Sequence, residues 1–389
     1  MIIASGGEIV SSAEDADVAV FNSCTVTSAA EADLRADVRS LARANPSARS
    51  VVMGCAAGAP ARDESRAPLR TLPTVDSVIP GGDVSALAAA LELPMSHSHA
   101  SMQSGARALL RIQDGCDEHC TFCATTLSRG ANRSRSADEI VREALTLADT
   151  HPEIVVTGIH IGTYGRDTSS SLSRLVERLI LEVPDVRFRL TSIEATEVDD
   201  LLVDLFRSCS DRLAPHLHAP LQSGSNAVLR RMGRHWYTAE SYAAAVERLA
   251  GIQPFALAAD VISGFPGETE DDHRATVSLV ESLPFTSLHV FPYSPRPNTA
   301  ALKLGPAVSS AVAGKRAREL RDIAEAKANA HAAARMGGNC DVVVIERHKG
   351  LTEDYLSVDV PESLPRRSRF RGILEEIDGR VVAHPLEAA

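Results

Sequence analysis

The chain lacks the features that mark a membrane or a secreted protein. Its 389 residues contain no run of about 18 apolar residues, which is roughly the length that a membrane-spanning helix requires. The opening segment Met1–Ser5 has no basic residues ahead of an apolar stretch, as a secretory signal would have. We therefore expect a cytoplasmic protein with no membrane partner.

The chain also lacks an excess of positive charge. Its formal net charge is −11, which argues against nucleic-acid binding as a property of the whole surface. Arginine nevertheless occurs in three local groups, and such groups in an acidic protein favour a partner that carries phosphates. The groups are Arg129, Arg133 and Arg135, then Arg230, Arg231 and Arg234, and finally Arg366, Arg367, Arg369 and Arg371.

Cysteine is scarce, but three of the seven cysteines stand close together. Cys116, Cys120 and Cys123 have the spacing C-x-x-x-C-x-x-C, and Phe122 directly precedes the last one. Three thiolates on one short loop can hold three irons of a 4Fe-4S cluster, and the fourth iron then stays open to an outside ligand. A structural zinc site with His119 as fourth ligand is the alternative, although such sites usually close around two separate hooks. An open iron implies substrate chemistry, so the loop indicates an enzyme.

Residues 1–95 show the alternating strand and helix patterns of an open α/β domain. The runs Asp17–Asn22 and Ser50–Gly54 predict two buried strands, with a helical pattern between them. Cys24 and Cys55 come just after these two strands. Ligands of open α/β sheets bind at that carboxyl edge, so both cysteines are placed where a ligand would be.

Residues 106–334 alternate six strand patterns with helices. Six β/α units in sequence predict a partial parallel barrel with right-handed crossovers. The cysteine loop directly follows the first strand, and active sites of such barrels form at the carboxyl ends of the strands. The predicted strands are Ala108–Gln113, Glu153–Ile161, Val186–Glu194, His216–Gln222, Phe255–Gly264 and Ser287–Pro295.

Residues 335–389 have a different character. Short alternating runs at Asp341–Ile345, Tyr355–Val360 and Arg380–Val382 predict a small β-barrel. The last arginine group, Arg366–Arg371, is expected on a loop or an edge strand of this barrel, where it could contact RNA phosphates.

The cysteine loop resembles the signature of the radical S-adenosylmethionine (SAM) enzymes. The resemblance implies that the open iron binds the amino and carboxylate groups of SAM. One electron from the cluster then cleaves SAM to methionine and a 5′-deoxyadenosyl radical. In enzymes of this kind the cofactor carries the chemistry, and the protein supplies position and shielding.

Residues at the predicted strand ends fit a SAM site of this kind. Small residues let the backbone approach a charged amino-acid group, polar side chains bind a ribose or an amino group, and an apolar face can flank an adenine. Any one of them alone is more often a helix cap or a surface group, so their recurrence at the edge of the cysteine loop carries the argument. The candidates are Thr157, Gly158, Ser192, Glu194, Gln222, Ile262 and Gly264, together with Phe122.

Further motifs resemble the methylthiotransferase branch of this superfamily over nearly the whole chain. Asn22–Thr27 and Gly54–Ala56 resemble two cysteine motifs of its N-terminal domain, and Ser128–Arg135 and Gly264–Glu268 resemble its barrel motifs. The final β-barrel resembles a TRAM domain, which is an RNA-binding module. The best match is to the subgroup that acts on N6-threonylcarbamoyladenosine of tRNA, on the segments Thr157–Gly165, His216–Ser225 and His289–Pro295.

The resemblance implies the reaction, the cofactors and the partners. A methylthio group would be added to C2 of the modified adenosine at position 37 of tRNA, within the anticodon stem-loop. Cys116, Cys120 and Cys123 would hold the SAM-cleaving cluster, while Cys24 and Cys55 would help to hold a second, auxiliary 4Fe-4S cluster that carries the sulfur. An aromatic C–H has no acidic proton and no leaving group, so acid–base or nucleophilic catalysis alone would not suffice. A reducing partner such as flavodoxin or ferredoxin would supply the electron.

Two departures from the pattern of this branch bear on the loop and on the second cluster. Ala124–Thr126 occupies the place where a proline is expected, which would change the path of the loop. The branch uses three cysteines for the auxiliary cluster, the first after an opening strand, and no cysteine precedes Cys24 here. We therefore expect the native start to lie upstream of Met1 by about 20 to 40 residues, the length of one strand and a helix.

Three other interpretations stay open. The substrate could be N6-isopentenyladenosine-37 of tRNA, or an aspartate of ribosomal protein S12. Outside the enzyme class, the chain could be a metal-containing RNA-binding protein without catalysis. Cys209 and Cys340 stand apart from every motif and are interpreted as ordinary thiols.

Overall fold

The structure, a computed structural model, describes residues 7–23, 28–58, 68–81, 83–93, 103–249, 251–296 and 298–386. Within this part of the chain no helix combines the length and the apolar character needed to cross a membrane. The chain divides into two compact units. The first comprises Met1–His99, Gly115–Ala131 and Ser294–Leu304, and the second comprises Ala100–Asp114, Asn132–Tyr293 and Gly305–Ala389.

The first unit is built on a three-stranded parallel sheet with the order β1-β2-β3. Buried apolar residues, among them Val38 and Val52, pack between this sheet and the first helix. The third strand was not predicted from the sequence, because its apolar run is weak and Ile79 alone among its six residues is buried. The elements are β1 Val18–Ser23, α1 Ser28–Ala44, β2 Arg49–Gly54, α2 Cys55–Gly58, β3 Val75–Pro80, α3 Val84–Ala90 and α4 Thr125–Arg129.

The first helix, α1, ends where Asn45 and Pro46 follow Ala44. A residue before proline is disfavoured in the helical conformation, so the helix stops there. The Asn45 amide then donates hydrogen bonds to the carbonyls of Glu14 and Ala16, each at 3.0 Å. Asn45 thereby fixes the end of α1 to the segment that leads into β1.

The second unit contains six parallel strands in two three-stranded sheets, β4-β7-β8 and β9-β10-β11. Parallel bridges Phe188↔Leu213 and Ser192↔His218 connect the two sheets. The α/β character predicted from the sequence is confirmed. The elements are β4 Ala108–Arg111, β5 Gln113–Asp114, β6 Arg133–Ser134, α5 Ala137–Ala148, β7 Glu153–Thr157, α6 Leu172–Glu182, β8 Arg187–Leu190, α7 Asp200–Ser208, β9 His216–His218, α8 Asn226–Arg231, α9 Ala239–Glu247, β10 Ala256–Ser263, α10 Glu270–Ser282, β11 Ser287–Pro292 and α11 Ser310–Arg335.

The strands of this unit are shorter than predicted. The clearest case is β9, which covers three residues where the sequence predicted His216–Gln222. Pro220 has no backbone N–H for the ladder, and Gln222 has a φ of +64°. Both features end a regular strand.

The C-terminal strands form a closed barrel with the order β12-β13-β14-β16-β15, so the predicted small β-barrel is confirmed. Its core includes Val342, Val344 and Leu374. The sequence did not predict β13, or β15 with its charged ends. The elements are β12 Asn339–Glu346, β13 Lys349–Thr352, β14 Ser357–Asp359, β15 Arg369–Ile377 and β16 Arg380–Pro385.

A buried ion cluster packs the strands of the second unit against its C-terminal barrel. Arg187 and Arg189 of β8 donate to the Glu153 carboxylate of β7 at 2.6 and 2.9 Å. Arg187 also donates to the carbonyl of Asp341 at 2.7 Å, and Arg189 to that of Thr352 at 3.0 Å. Burial alone would raise the pKa of Glu153, but the two arginines outweigh it and hold that pKa below its usual range. The carboxylate therefore stays ionised in a buried position.

Candidate functional site

The cysteine loop closes on itself at its base. The N–H of Cys116 donates to the carbonyl of Gly130 at 3.0 Å. Gly115 has a φ of +77°, and a Cβ there would lie 1.9 Å from the carbonyl oxygen of Ala131. Only glycine fits both this conformation and this approach. The loop between positions 116 and 130 is thus held as a defined hairpin-like segment.

The sulfur of the last cysteine of the loop makes two hydrogen bonds with Thr125. Sγ of Cys123 accepts from the backbone N–H of Thr125 at 3.3 Å, and the thiol donates to the Thr125 hydroxyl oxygen at 3.1 Å. When the thiol is replaced by a thiolate, that hydroxyl can turn and donate to the sulfur instead. An iron-bound thiolate accepts such bonds, and they tune the reduction potential of its cluster. Thr126 adds a bond from its hydroxyl to the carbonyl of Glu118 at 3.0 Å. The residues that stand in place of the expected proline therefore brace the loop and contact the sulfur.

The thiols present in the loop fit an iron–sulfur cluster. Cys116, Cys120 and Cys123 are half-buried and form no disulfide. Structural zinc sites usually close around two separate hooks, whereas these three thiols stand on one short loop. The spacing in the sequence favours the cluster over the zinc alternative.

The first unit places a fourth cysteine next to the end of this loop. Cys55 begins α2 directly after β2, as the sequence predicted. Arg129, the last residue of α4, donates from Nε to Sγ of Cys55 at 3.3 Å. Cys24, the other cysteine predicted for the auxiliary cluster, lies outside the described residues. The role of Arg129 at a sulfur was not predicted from the sequence.

In the second unit, Gln113 organises the turn that follows β7. Its side-chain oxygen accepts from the N–H groups of Ile159 and His160 at 3.0 and 2.9 Å, and its amide donates to Asn132 at 2.6 Å. A Cβ on Gly158 would lie 2.9 Å from the side chain of Gln113. Gly158 is thus needed for packing, whatever else it does. A buried polar residue that ends an apolar strand was the signal that could have found Gln113.

Glu194 was predicted to accept hydrogen bonds from a cofactor, and the structure gives it a partner within the chain. Its Oε1 is paired with Arg234. Burial raises the pKa of Glu194, and Arg234 offsets this only in part. The guanidinium of Arg234 lies 4.9 Å from the centre of the Trp236 ring, and the residue is buried. Arg234 is therefore a structural cation, and its assignment to a phosphate-binding group is corrected.

Three other predicted cofactor residues lie at the ends of their strands. Thr157 ends β7 and is half-buried, and Ile262 is half-buried near the end of β10. Gln222 follows β9, and its N–H donates to the carbonyl of Asp260 at 2.8 Å.

Gly264 also lies at a strand end, directly after β10. Its φ is +73°, and a Cβ there would lie 2.4 Å from the Cβ of Ala313 in α11. Packing against α11 therefore requires a glycine at this position.

The last arginine group is mostly engaged within the second unit. Arg366 donates to the carbonyl of Ser104 at 2.7 Å, and Arg367 donates to the carbonyl of Gln103. Arg369 donates to Asp341 at 2.8 Å.

The position of this group on the barrel follows from the strand register. Arg366 and Arg367 precede β15, and Arg369 and Arg371 lie at its start, in the part that pairs with β12. The pairing of β15 with β16 begins only at Gly372. Arg371 is exposed, as is Arg366.

Comparison with known families supports the loop chemistry. Residues 110–280 match the model of the Radical SAM superfamily. Residues 1–79 match the model described as Uncharacterized protein family UPF0004. The two matches together cover the cysteine loop, the strand-end residues and Cys55.

Curated relatives match most of the chain. The Threonylcarbamoyladenosine tRNA methylthiotransferase MtaB of Bacillus subtilis (strain 168) is 33% identical over 95% of this chain and 85% of its own length. The chain belongs to the MtaB-like family of radical SAM methylthiotransferases. An MtaB of Aquifex aeolicus (strain VF5), also 33% identical, is matched over 90% of its length and 92% of this chain.

Other matches show how far the MtaB-like family shares sequence and fold with related enzymes. The tRNA-2-methylthio-N(6)-dimethylallyladenosine synthase of Sorangium cellulosum (strain So ce56) is 34% identical over 87% of this chain and 76% of its own. A solved structure of the radical SAM methyltransferase TsrM from Kitasatospora setae has a TM-score of 0.55 at 14% identity. That match covers 71% of this chain and 62% of TsrM, and it shows a shared fold alone.

Proposed function

We propose that this chain adds a methylthio group to C2 of N6-threonylcarbamoyladenosine at position 37 of tRNA. The observation that carries the proposal is the closed loop with Cys116, Cys120 and Cys123, whose thiols suit a cluster with one open iron. Relatives of the chain in Bacillus subtilis and Aquifex aeolicus are named as threonylcarbamoyladenosine tRNA methylthiotransferases. Their identity to this chain extends over most of its length, so the substrate class is carried over as a proposal.

The proposal assigns two clusters to the cysteines. Cys116, Cys120 and Cys123 would hold the cluster that binds SAM, and Cys55 with Cys24 would contribute to the auxiliary one. When bound, the first cluster supplies the electron that splits SAM and thereby makes an unactivated C–H reactive. The residues of this chain orient the thiolates: Thr125 donates to Cys123, and Arg129 donates to Cys55.

The proposal keeps the division of the chain into residues 1–95, 106–334 and 335–389. The six parallel strands would form a partial (β/α)6 barrel, whose strand-end residues would contact SAM. Glu194 would act there together with Arg234, since its Oε1 is already paired. The residues proposed at the SAM site are Phe122, Thr157, Gly158, Ser192, Glu194, Gln222, Ile262 and Gly264.

The proposed partner is the anticodon stem-loop of tRNA, with the C-terminal barrel acting as a TRAM-like RNA-binding domain. Arg371 and Arg366 are exposed on this barrel and are the arginines we assign to phosphate contacts, although Arg366 also donates to the carbonyl of Ser104. Arg367 and Arg369 are half-buried, bond to other parts of the chain and would act mainly by holding the barrel in place. A flavodoxin or a ferredoxin would deliver electrons, and the reaction would take place in the cytoplasm.

The test is the content of modified nucleosides in tRNA. The gene is expressed in a bacterial strain that makes threonylcarbamoyladenosine but has no enzyme of its own for its methylthiolation. Mass spectrometry of digested tRNA should detect the 2-methylthio form with the wild-type chain and not with the triple Cys→Ala variant of the loop. Appearance of methylthiolated isopentenyladenosine instead would support the second candidate, which the similarity to the Sorangium enzyme brings into consideration.

A further inference from the structure

Three titratable side chains meet on neighbouring strands of the second unit. Nε2 of His218 in β9 lies 3.1 Å from Oδ1 of Asp260 in β10. Nδ1 of His289 in β11 lies 3.2 Å from the same oxygen. Asp260 and His289 are partners in the strand register, so the backbone itself places them side by side. One carboxylate therefore accepts hydrogen bonds from two imidazoles.

These side chains lie on the face of the sheet opposite to the helix-packed core. Leu217, Val261 and Val290 belong to that core, and successive side chains of a strand point to opposite faces. His218, Asp260 and His289 alternate with these core residues, so they share the other face. Ile262, which we propose to contact SAM, follows on the same face.

A second contact connects the group formed by His218, Asp260 and His289 to the proposed SAM site. Oγ of Ser192 lies 2.6 Å from Nδ1 of His218. Both ring nitrogens of His218 are thus engaged, and its ring is fixed in one orientation. Ser192 was predicted from the sequence to bind the cofactor, so these three side chains lie directly beside a residue of that site.

The group of three side chains is accessible to solvent on the side of His289. The side chain of His289 is 60% exposed, against 13% for His218 and 26% for Asp260. The exposed ring of Phe291, two residues further on β11, has its centre 6.4 Å from that of His289. A planar base could stack on these rings. Because Nδ1 of His289 is bonded to Asp260, its Nε2 is the atom left for a ligand.

We propose that His218, Asp260 and His289 recognise the threonylcarbamoyl group of the substrate base. His289, with both ring nitrogens protonated, would donate from Nε2 to the threonyl carboxylate, and Asp260 would accept from a carbamoyl N–H or from the threonyl hydroxyl. His218 would hold Asp260 in place. The inference rests on the proposed function and deepens it, since it names the residues that select the substrate.

The chemistry of the face explains why a polar modification suits it better than a hydrocarbon one. A prenyl group packed on these side chains would displace water from Asp260 and His289 without replacing the lost hydrogen bonds. A site built to hydrogen-bond its substrate strongly rejects an analogue that lacks the polar groups. Two imidazoles and a carboxylate could also hold a divalent cation, since their ligand atoms lie within 4.8 Å of one another. The direct bonds to Asp260 and the position beside Ser192 favour the substrate.

The test measures binding of anticodon stem-loop RNAs by the chain loaded with its iron–sulfur clusters. The RNAs carry threonylcarbamoyladenosine, its threonyl methyl ester, isopentenyladenosine or plain adenosine at position 37. The wild type should prefer the threonylcarbamoyl RNA to the plain one by about tenfold to a hundredfold, the range expected for hydrogen bonds to a charged group. His289→Gln should lose most of this preference. His235→Gln, which changes an exposed histidine elsewhere, should keep it.

The ester shows whether the carboxylate is what His289 reads. For the wild type, the ester should cost about as much affinity as the His289→Gln change does. The two losses should not add, because they remove the same interaction. Iron content and melting temperature of His289→Gln report whether the variant is folded and loaded, and Asp260→Asn provides a second variant on the same face.

Three outcomes would overturn a part of this account, and each points to a different part. If the wild type prefers the threonylcarbamoyl RNA and both variants retain that preference, the inference is wrong while the proposed function stands. If the wild type prefers the isopentenyl RNA, the proposed function itself is wrong. If elemental analysis finds one zinc per chain that His289→Gln removes, the three side chains form a zinc site, and their direct recognition of the threonylcarbamoyl group is wrong.

Discussion

Arg129 donates a hydrogen bond from Nε to Sγ of Cys55 across 3.3 Å. Arg129 ends the helix that begins two residues after Cys123, and Cys55 begins the helix that follows β2. A single guanidinium thus joins a cysteine of the N-terminal sheet to the loop that carries the other three. The contact gives a physical meaning to the Ser-Arg-Gly sequence after the loop.

We expect Arg129→Gln to separate the two halves of the reaction. The variant should still form 5′-deoxyadenosine from SAM, because the three cysteines of the loop are untouched. Methylthiolated tRNA should fall by about tenfold or more, the usual effect of losing a group that orients a metal ligand. The measurement is the ratio of 5′-deoxyadenosine to methylthio nucleoside in one reaction, with Arg133→Gln as the control for lost charge. An unchanged ratio in Arg129→Gln would show that the contact has no part in sulfur insertion.

Alanine at Cys116, Cys120 or Cys123 should abolish SAM cleavage. Each substitution removes one of the thiolates proposed to hold the SAM-binding cluster, so about four irons per chain should be lost with it. Anaerobic assays of 5′-deoxyadenosine and of iron content check this. Cys209→Ala, a half-buried cysteine on the second unit, is the matched control and should retain both. SAM cleavage at the wild-type rate in the triple variant would refute the assignment of the loop.

Thr125→Val should make the potential of the SAM-binding cluster more negative. The change keeps the backbone N–H and the shape of the side chain but removes the hydroxyl that lies 3.1 Å from Sγ of Cys123. Hydrogen bonds to ligand sulfurs stabilise the reduced cluster, which carries more negative charge. A redox titration followed by electron paramagnetic resonance measures the shift. Thr126→Val, which removes a bond to a backbone carbonyl rather than to sulfur, should leave the potential close to that of the wild type.

Glu153→Gln should destabilise the second unit by about 3–5 kcal/mol, because it leaves two buried arginines without their carboxylate. Denaturant unfolding measures this change. Glu376→Gln, an exposed glutamate of β15, should stay within about 0.5 kcal/mol of the wild type. Equal stability of the two variants would mean that water or other groups satisfy Arg187 and Arg189.

The difference in stability between the wild type and Glu153→Gln should depend on pH in a defined way. The pKa of Glu153 is lower in the folded state, so its contribution to stability is present above its unfolded pKa of about 4.3. That contribution is lost as the pH falls towards the folded value. The stability difference between wild type and Glu153→Gln should therefore be constant near neutral pH and shrink in acid. A difference that grows on acidification would contradict the ionised carboxylate.

Arg371→Gln and Arg369→Gln should act in different ways, although the residues are two positions apart on β15. Arg371 is exposed, and its loss should reduce the salt slope of tRNA binding by about one unit. Arg369 bonds to Asp341 at 2.8 Å, so its loss should cost about 1–2 kcal/mol of stability and leave the slope unchanged. Binding isotherms at several salt concentrations, with thermal melts, distinguish the two roles. A shared effect on the slope would return both arginines to RNA binding.

The sequence by itself predicted the chemistry that we propose for the site, and it determined the class of the fold. The spacing of Cys116, Cys120 and Cys123 is local, and a cluster loop needs little more than three thiols on a short segment. Hydrophobic periodicity likewise depends only on near neighbours, so it predicted the alternation of strands and helices and the small barrel at the end. It did not predict β15, because charged residues near both ends of this strand interrupt the apolar pattern, and its pairing partners are distant in sequence.

Only the tertiary structure decided which polar residues meet. Arg369 was indistinguishable from Arg371 in the sequence, and its role follows from Asp341, which β12 brings alongside. His218, Asp260 and His289 come from three separate β/α units, and only the register of β9, β10 and β11 brings them together. Burial pattern reports that a side chain faces inward, but it carries no information about the partner it finds there. Long-range packing, which aligns segments far apart in the chain, supplies that partner.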